Sequence, residues 1–148
     1  MVTEQIEYQF ITIDSPHYFS TINLRHDAFF RPSGTQIGAV ADSREGRSMH
    51  LIAMLDDEVV GYIRLTMEGR EAHLSQFVVA PQMQGKAGLA KNLYDKATAR
   101  AKELGAKKVS GEIRLPMAGI AVRLGYNVSN NVSPSANGTP QRHAEKDL

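Results

Sequence analysis

Residues 81–94 read PQMQGKAGLAKNLY and follow directly on the apolar run LSQFVVA at 74–80. Two glycines, two small alanines and a lysine therefore stand where a buried strand gives way to a helix. Backbone N–H groups at a helix start, backed by the helix dipole, hold anions, and phosphate is the obvious ligand. Gly85, Ala87, Gly88 and Ala90 let the main chain approach such a ligand without a side chain in the way. Lys86 brings a positive charge into the loop itself, and Lys91 lies near enough the helix start to reach a phosphate. Single residues exclude two common phosphate motifs. A P-loop needs glycine at Ala80 and Ser or Thr at Ala87, and a dinucleotide fingerprint starting at Gly85 needs glycine at Ala87.

The elements that must position this loop are legible in the hydrophobic periodicity. Alternation in IEYQFITI (6–13) predicts a strand, and DSPHYFSTINLRHDAFF (14–30) a helix with Ser15 as N-cap, Pro16 at its first position and Tyr18, Ile22 and Phe29 on its apolar face. Residues 31–47, rich in Gly, Ser, Thr and Asp, predict a long connection, and long ordered loops often carry substrate contacts. SMHLIAML, the turn DDE and VVGYIRLTM predict a hairpin, which EGRE and AHLSQFVVA extend to an antiparallel meander. A helix over about 85–104 follows, with a stripe of Leu89, Leu93, Ala97, Ala101 and Leu104 and a stop at Gly105. KKVSGEIRL then predicts a strand, MAGIAVRL a short helix closed by Gly125, and YNVSN and QRHAEKDL two last strands flanking a Ser, Pro, Asn and Gly loop. Strands first precede helices and then alternate with them, the pattern of a mixed α+β sheet.

Composition bounds the function. A length of 148 residues suits one domain, 1–148. With 42% hydrophobic and 22% charged residues the chain is neither disordered nor membrane-embedded. A net charge of +1 argues against a nucleic-acid binder. The absence of cysteine excludes disulfides, thiolate metal sites and a cysteine intermediate. His17, His26, His50 and His143 have no partners at metal-ligand spacing, so no metal is implied. The first residues lack a basic stretch followed by an apolar one, which makes a cytoplasmic location the expectation.

The stretch VVAPQMQGKAGLAKNL, together with RLGY at 123–126, resembles the GNAT superfamily of acyl-CoA-dependent N-acetyltransferases. In that family a strand ending in Val-x-Pro runs into a loop of the form Arg/Gln-x-x-Gly-x-Gly/Ala, and a later short helix ends in Leu-Gly-Phe/Tyr. The resemblance is strongest over residues 73–126. It implies a single α+β domain whose mostly antiparallel, twisted sheet is splayed at an acyl-CoA site and flanked by helices. It also implies acetyl-CoA as co-substrate and an amine acceptor, with homodimers common among relatives. Gln84, Gly85, Lys86, Ala87, Gly88, Leu89 and Ala90 would hold the coenzyme pyrophosphate. Two registers stay open, one through Gln82, Gly85 and Ala87, the other through Gln84 with Ala87 as an insertion. Phe77, Val78 and Val79 would pair with the pantetheine arm, the Val79 N–H facing the thioester carbonyl. Arg114 aligns with an asparagine that bonds the same arm. Ala121 stands where relatives often have a tyrosine acid, and Tyr94 and Tyr126 are then expected to matter only for stability.

Acetyl transfer needs a neutral amine, a carbonyl held beside it and a tolerable leaving group. His73 and Ser75, alternating with Phe77 on one strand face, and Glu112 on the neighbouring strand are the candidate bases, acting directly or through water. His73 has a plain alternative as a surface histidine at a strand start. Arg25 and Asp27 either face the acceptor or form a solvent-facing pair. The basic residues of the long helix, interspersed with Asp95 and Glu103, read as a solvated face. The implied activity is direct transfer from acetyl-CoA to a primary amine of a small molecule or peptide within a ternary complex, with no acyl-enzyme. The alternative, which Ala121 and the lack of an obvious base favour, is a non-catalytic acyl-CoA-binding sensor or interaction module on the same fold.

Overall fold

The computed structural model describes residues 5–31, 34, 36–86, 88–135 and 140–148, so Ala87 and part of the 31–47 connection lie outside the described residues. Its elements are β1 (Glu7–Ile11), α1 (Tyr18–Arg25), β2 (Met49–Leu55), β3 (Glu58–Glu68), β4 (Glu71–Val79), α2 (Leu89–Glu103), β5 (Lys108–Arg114), α3 (Ala118–Arg123), β6 (Asn127–Val128), β7 (Ser133–Pro134) and β8 (Pro140–Asp147). The strands form one sheet in the order β1-β2-β3-β4-β5-β8-β6, with β7 also paired to β8. Every pairing is antiparallel except that of β4 with β5. Among the described residues no helix is long and apolar enough to cross a membrane.

Local chemistry explains the expected β2–β3 hairpin. Asp56 and Asp57 adopt φ of 49° and 64°, the left-handed pair of a two-residue hairpin turn, which aspartate tolerates better than most residues. Helices cover both faces of the central strands, so β3 is buried from Val59 to Thr66. One face packs Leu89, Leu93, Ala97 and Ala101 of α2; the other meets Tyr18 and Leu24 of α1 and Ala28 and Phe29 after it. Gly61 sets the approach of α2, because a Cβ there would lie 2.8 Å from Leu89 Cδ2 and 3.0 Å from Leu93 Cδ1.

Two helix starts differ from expectation. The long helix begins at Leu89, since Gly85 and Gly88 take φ of 77° and 64°, a backbone through which a right-handed helix does not continue. Ser15 caps a preceding turn, its Oγ accepting from the His17 N–H at 3.2 Å, and α1 itself starts at Tyr18. A widened π-helical turn, His26–Phe30, then extends α1.

The centre of the sheet is split. β4 and β5 pair only at Glu71↔Lys108, Ala72↔Val109 and His73↔Ser110, and beyond these the strands part. β5 instead follows β8, with which it pairs at seven positions from Lys108↔Asp147 to Arg114↔Gln141. Gly111 sits at the fork, where an added Cβ would be 2.3 Å from the Leu74 carbonyl oxygen.

Candidate active site

The splay opens a cleft of about 160 Å³ walled by Gln76 and Phe77 of β4, Glu112, Ile113 and Arg114 of β5, Tyr94 of α2, Phe29 and Phe30 after α1, Met117, Ser135 and Gln141. A smaller recess of about 30 Å³ reaches inward past Ser75, Ser110, Gly111, Ala121 and Tyr126. The glycine loop follows from the end of β4, the strand that forms one wall of the cleft. Gly88 caps α2, and a Cβ added at Gly85 or Gly88 would meet no atom within 4 Å, so the main chain is open to a ligand there. Gln84 Nε2 donates to the Val79 carbonyl at 3.3 Å and ties the loop to the end of β4. Lys86 is exposed, whereas Lys91 pairs with Asp95. The Leu89 side chain is buried against β3, leaving only its main chain to face the loop.

The Ala80 N–H donates to the Val60 carbonyl on β3 at 2.8 Å. Neighbouring amides of an extended strand point to opposite edges, so the Val79 N–H faces away from β3, toward the cleft. Val78, by contrast, is buried in the core beneath α1 and offers only backbone.

A bulge changes the face on which the β4 residues lie. Arg64 pairs with Ser75 and Tyr62 with Val78, so two residues of β4, Gln76 and Phe77, stand opposite Ile63. Gln76 takes up the extra length at φ 52°. Phe77 is thereby turned to the α2 side, its ring 4.8 Å from that of Tyr94, while His73 and Ser75 stay on the α1 side with Thr66 and Arg64. The expectation that all three share one face is corrected by this bulge, which periodicity cannot show.

Of the candidate bases, only Glu112 lines the main cleft, and its carboxylate meets a histidine on β8. His73 pairs with Thr66 and Ser110 where β4 and β5 are still joined, away from the opening, and burial lowers its pKa. Ser75 reaches the recess, but its Oγ accepts from Arg64 Nε at 2.9 Å. Glu112 Oε1 is 2.8 Å from Nδ1 of His143, its cross-strand neighbour on β8, whose Nε2 lies 3.3 Å from Glu145. The hydrogen bond with Glu112 raises the His143 pKa above the ordinary histidine value, with Glu145 adding to it. Periodicity along one strand could not have found His143, since its contact with Glu112 depends on the register between β5 and β8. Tyr94 was likewise unexpected as a cleft residue. It walls both parts of the opening, its hydroxyl makes no hydrogen bond among the described residues, and burial pushes its pKa up, so it stays protonated. Ala121, buried beside it, makes room.

Behind β4 lies a buried charged network. Arg25, 0% exposed, grips Glu45 through Nη2 at 2.6 Å and Nη1 at 3.1 Å, and Nη1 also donates to Gln76 Oε1 at 2.8 Å. Arg64 Nη1 donates to Glu45 Oε2 at 2.9 Å and to Asp42 Oδ1 at 2.8 Å. Burial alone would raise the Glu45 carboxyl, but the hydrogen bonds and charge of Arg25, with Tyr18 and Arg64, hold it at about 2. His50 Nε2 lies 3.1 Å from the Glu45 carbonyl, which only accepts; the ring proton is therefore on Nε2, and Nδ1 accepts from the Tyr62 hydroxyl. Burial lowers the His50 pKa, in keeping with that neutral form. Two expectations change here. Arg25 is buried and paired with Glu45, while Asp27 pairs with Arg31 at the surface. None of the described residues of 31–47 lines the cleft; the connection instead sends Glu45 under the sheet, with Asp42 at the exposed rim of the network. The sequence signal was Arg64, a lone charge inside VVGYIRL, because a charge in a buried strand demands a partner.

A family model described as the acetyltransferase (GNAT) family matches residues 10–124. No curated protein matches the sequence. Solved structures share the fold. Escherichia coli ElaA superposes with a TM-score of 0.81 at 16% identity, covering 97% of this chain and 100% of that one. An acyl-CoA N-acyltransferase from Pseudomonas aeruginosa gives 0.80 at 18% identity, covering 96% and 99%. A GNAT family acetyltransferase from Elizabethkingia anophelis with acetyl-CoA bound gives 0.73 at 14% identity, covering 97% and 98%.

Proposed function

The chain belongs to the GNAT acetyltransferase family, and from that premise we propose that it moves an acetyl group from acetyl-CoA directly to a primary amine within a ternary complex. The observation that carries this reading is that one cleft is faced by the β4 edge ending in the open glycine loop and, from β5, by Glu112. The loop fits a pyrophosphate: open backbone at Gly85 and Gly88, the first turn of α2, and the exposed cation Lys86. Phe77 and Val79 present strand edge to a pantetheine arm. The acetyl-CoA bound in the relative from Elizabethkingia anophelis supports the same co-substrate here. A supply of acetyl-CoA agrees with a cytoplasmic location.

Glu112 takes a proton from the incoming ammonium and hands it to solvent through His143. The freed amine attacks the thioester carbon, and the Val79 N–H donates to the oxygen as charge gathers on it. The carbon–sulfur bond then breaks. Tyr94 donates a hydrogen bond to the departing sulfur, and a thiol with a pKa of about 8.5 leaves without needing a stronger acid. No cysteine is present to carry an acyl group, and Ser75 lacks a base at its Oγ. Thiol release from acetyl-CoA across a panel of amines tests the proposal. Acceptor-dependent release supports it; tight coenzyme binding with no release on a broad panel supports the non-catalytic module that Ala121 favours.

A further inference from the structure

Arg114 is the charged residue of the cleft that the acetyl-transfer steps leave unused. Resemblance assigns it to the coenzyme arm, but its geometry points elsewhere. Strand alternation sets Glu112 and Arg114 on one face of β5, with cross-strand neighbours His143 and Gln141. The Arg114 guanidinium lies 4.5 Å from the Phe29 ring, on the face of the sheet that packs against α1 rather than α2. Its Nη2 reaches the Phe77 carbonyl at 3.4 Å, the long end of hydrogen-bond range, and among the described residues no carboxylate pairs with it. Burial pushes its pKa below the usual arginine value, as expected for a cation stripped of water without a counter-ion in return. An anion beside it would relieve that cost, and its forked donors suit a carboxylate.

We propose that the acceptor is an amino acid with an apolar side chain, its carboxylate on Arg114, its amine toward Glu112 and its side chain against Phe29, Phe30 and Met117. This rests on the acetyltransferase reading and names its substrate class. The amine nitrogen bonds to the acetyl carbon as the carbon–sulfur bond breaks, and the electron pair leaves with sulfur. Of the two protons that the ammonium gives up, one ends on the coenzyme thiol and the other in solvent through Glu112. The product is the N-acetyl amino acid.

The experiment measures kcat/KM by thiol release for phenylalanine, leucine and methionine, for their carboxamides, and for the amines lacking the carboxyl group. The acids are expected to exceed their carboxamides by about tenfold to a hundredfold, the worth of a charge-assisted hydrogen bond pair. Arg114→Gln should bring that ratio to near one while the Kd for coenzyme A, measured by calorimetry, stays unchanged. Equal use of acids and carboxamides by the wild-type protein overturns the proposal without any variant having to fold. So does an Arg114→Gln protein that keeps the preference, or one that loses coenzyme A binding, which returns Arg114 to the coenzyme. Transfer to carboxamides and simple amines but not to acids sinks this proposal alone; transfer to no amine sinks the acetyltransferase reading with it.

Discussion

Glu112 and Tyr94 face each other's chemistry across the cleft, one able to accept a proton and the other held protonated by burial. Replacing Glu112 by Gln removes a base of nearly the same shape, so kcat should fall by about 10²- to 10⁴-fold while coenzyme A affinity holds. In the proposed relay, His143 sets the pH dependence. Its pKa is raised in the folded protein by Glu112 and Glu145, the latter also bound to Lys108, so the relay is blocked by the imidazolium at low pH. Activity should therefore rise with pH through an apparent pKa above 6.5, a limb that shifts downward in Glu145→Gln; a pH–kcat profile reads both. Tyr94→Phe should lower kcat by about tenfold to a hundredfold through loss of one donor to a forming thiolate. Tyr126 offers the contrast. Its hydroxyl is 3.3 Å from Thr98 Oγ1, and Tyr126→Phe should cost about 1 kcal/mol of stability and leave turnover alone. If Tyr126→Phe, folded by circular dichroism, lost turnover instead, the donor to sulfur would be misassigned.

The loop and the first turn of α2 act as one element, because left-handed glycines at 85 and 88 stop the helix from starting early. At either position a side chain would stand in open space, so its effect on binding comes from charge and bulk in that space together with backbone strain. Paired variants separate the causes. Gly88→Asn keeps a residue that tolerates φ above zero, whereas Gly88→Asp adds a negative charge of the same size. Calorimetry should show coenzyme A binding weakened modestly in Gly88→Asn and abolished in Gly88→Asp, with both proteins folded. Equal micromolar affinity in the two would mean that no phosphate lies there.

Across the whole molecule, the Arg25–Glu45–Arg64 network joins α1, the 31–47 connection and β3, and through Gln76 and Ser75 it holds the bulge that shapes β4. Glu45→Ala leaves the buried Arg25 without a counter-ion and Arg64 with Asp42 alone, and chemical denaturation should show a loss of about 3–5 kcal/mol. The acid limb of stability follows from the same residues. Glu45 titrates near 4.5 when unfolded and about 2 when folded, so its contribution is full above 4.5 and lost as pH falls toward 2. His50 acts in the same direction from higher pH, since the unfolded chain takes up a proton near 6.5 that the buried, neutral ring refuses. Stability should therefore decline in two stages below pH 6.5, and Glu45→Gln should shrink the lower one, which Asp42 and Glu145, both also held low, share.

Much of this was determined by the sequence alone, because the signals are local. The meander, the short α3, the β8 strand and the glycine loop all follow from period, turn chemistry and the conformational freedom of glycine over a few neighbouring residues. The candidate site was partly visible for the same reason: Lys86 and the loop glycines sit in a motif that carries its own meaning, whereas Glu112 was one of three candidate bases on neighbouring strands. The rest depends on residues far apart in the chain. Only the tertiary structure put His143 beside Glu112, since that pairing is a matter of register between strands separated by α3. Only the bulge at Gln76 turned Phe77 to the opposite face from Ser75, and a bulge leaves no mark in hydrophobic alternation. Arg64 announced a buried charge, but its partners Glu45 and Asp42 lie about twenty residues away in a connection without periodicity. Burial and charge compensation join such groups only when the chain is folded, and they decide which of the legible residues face the chemistry.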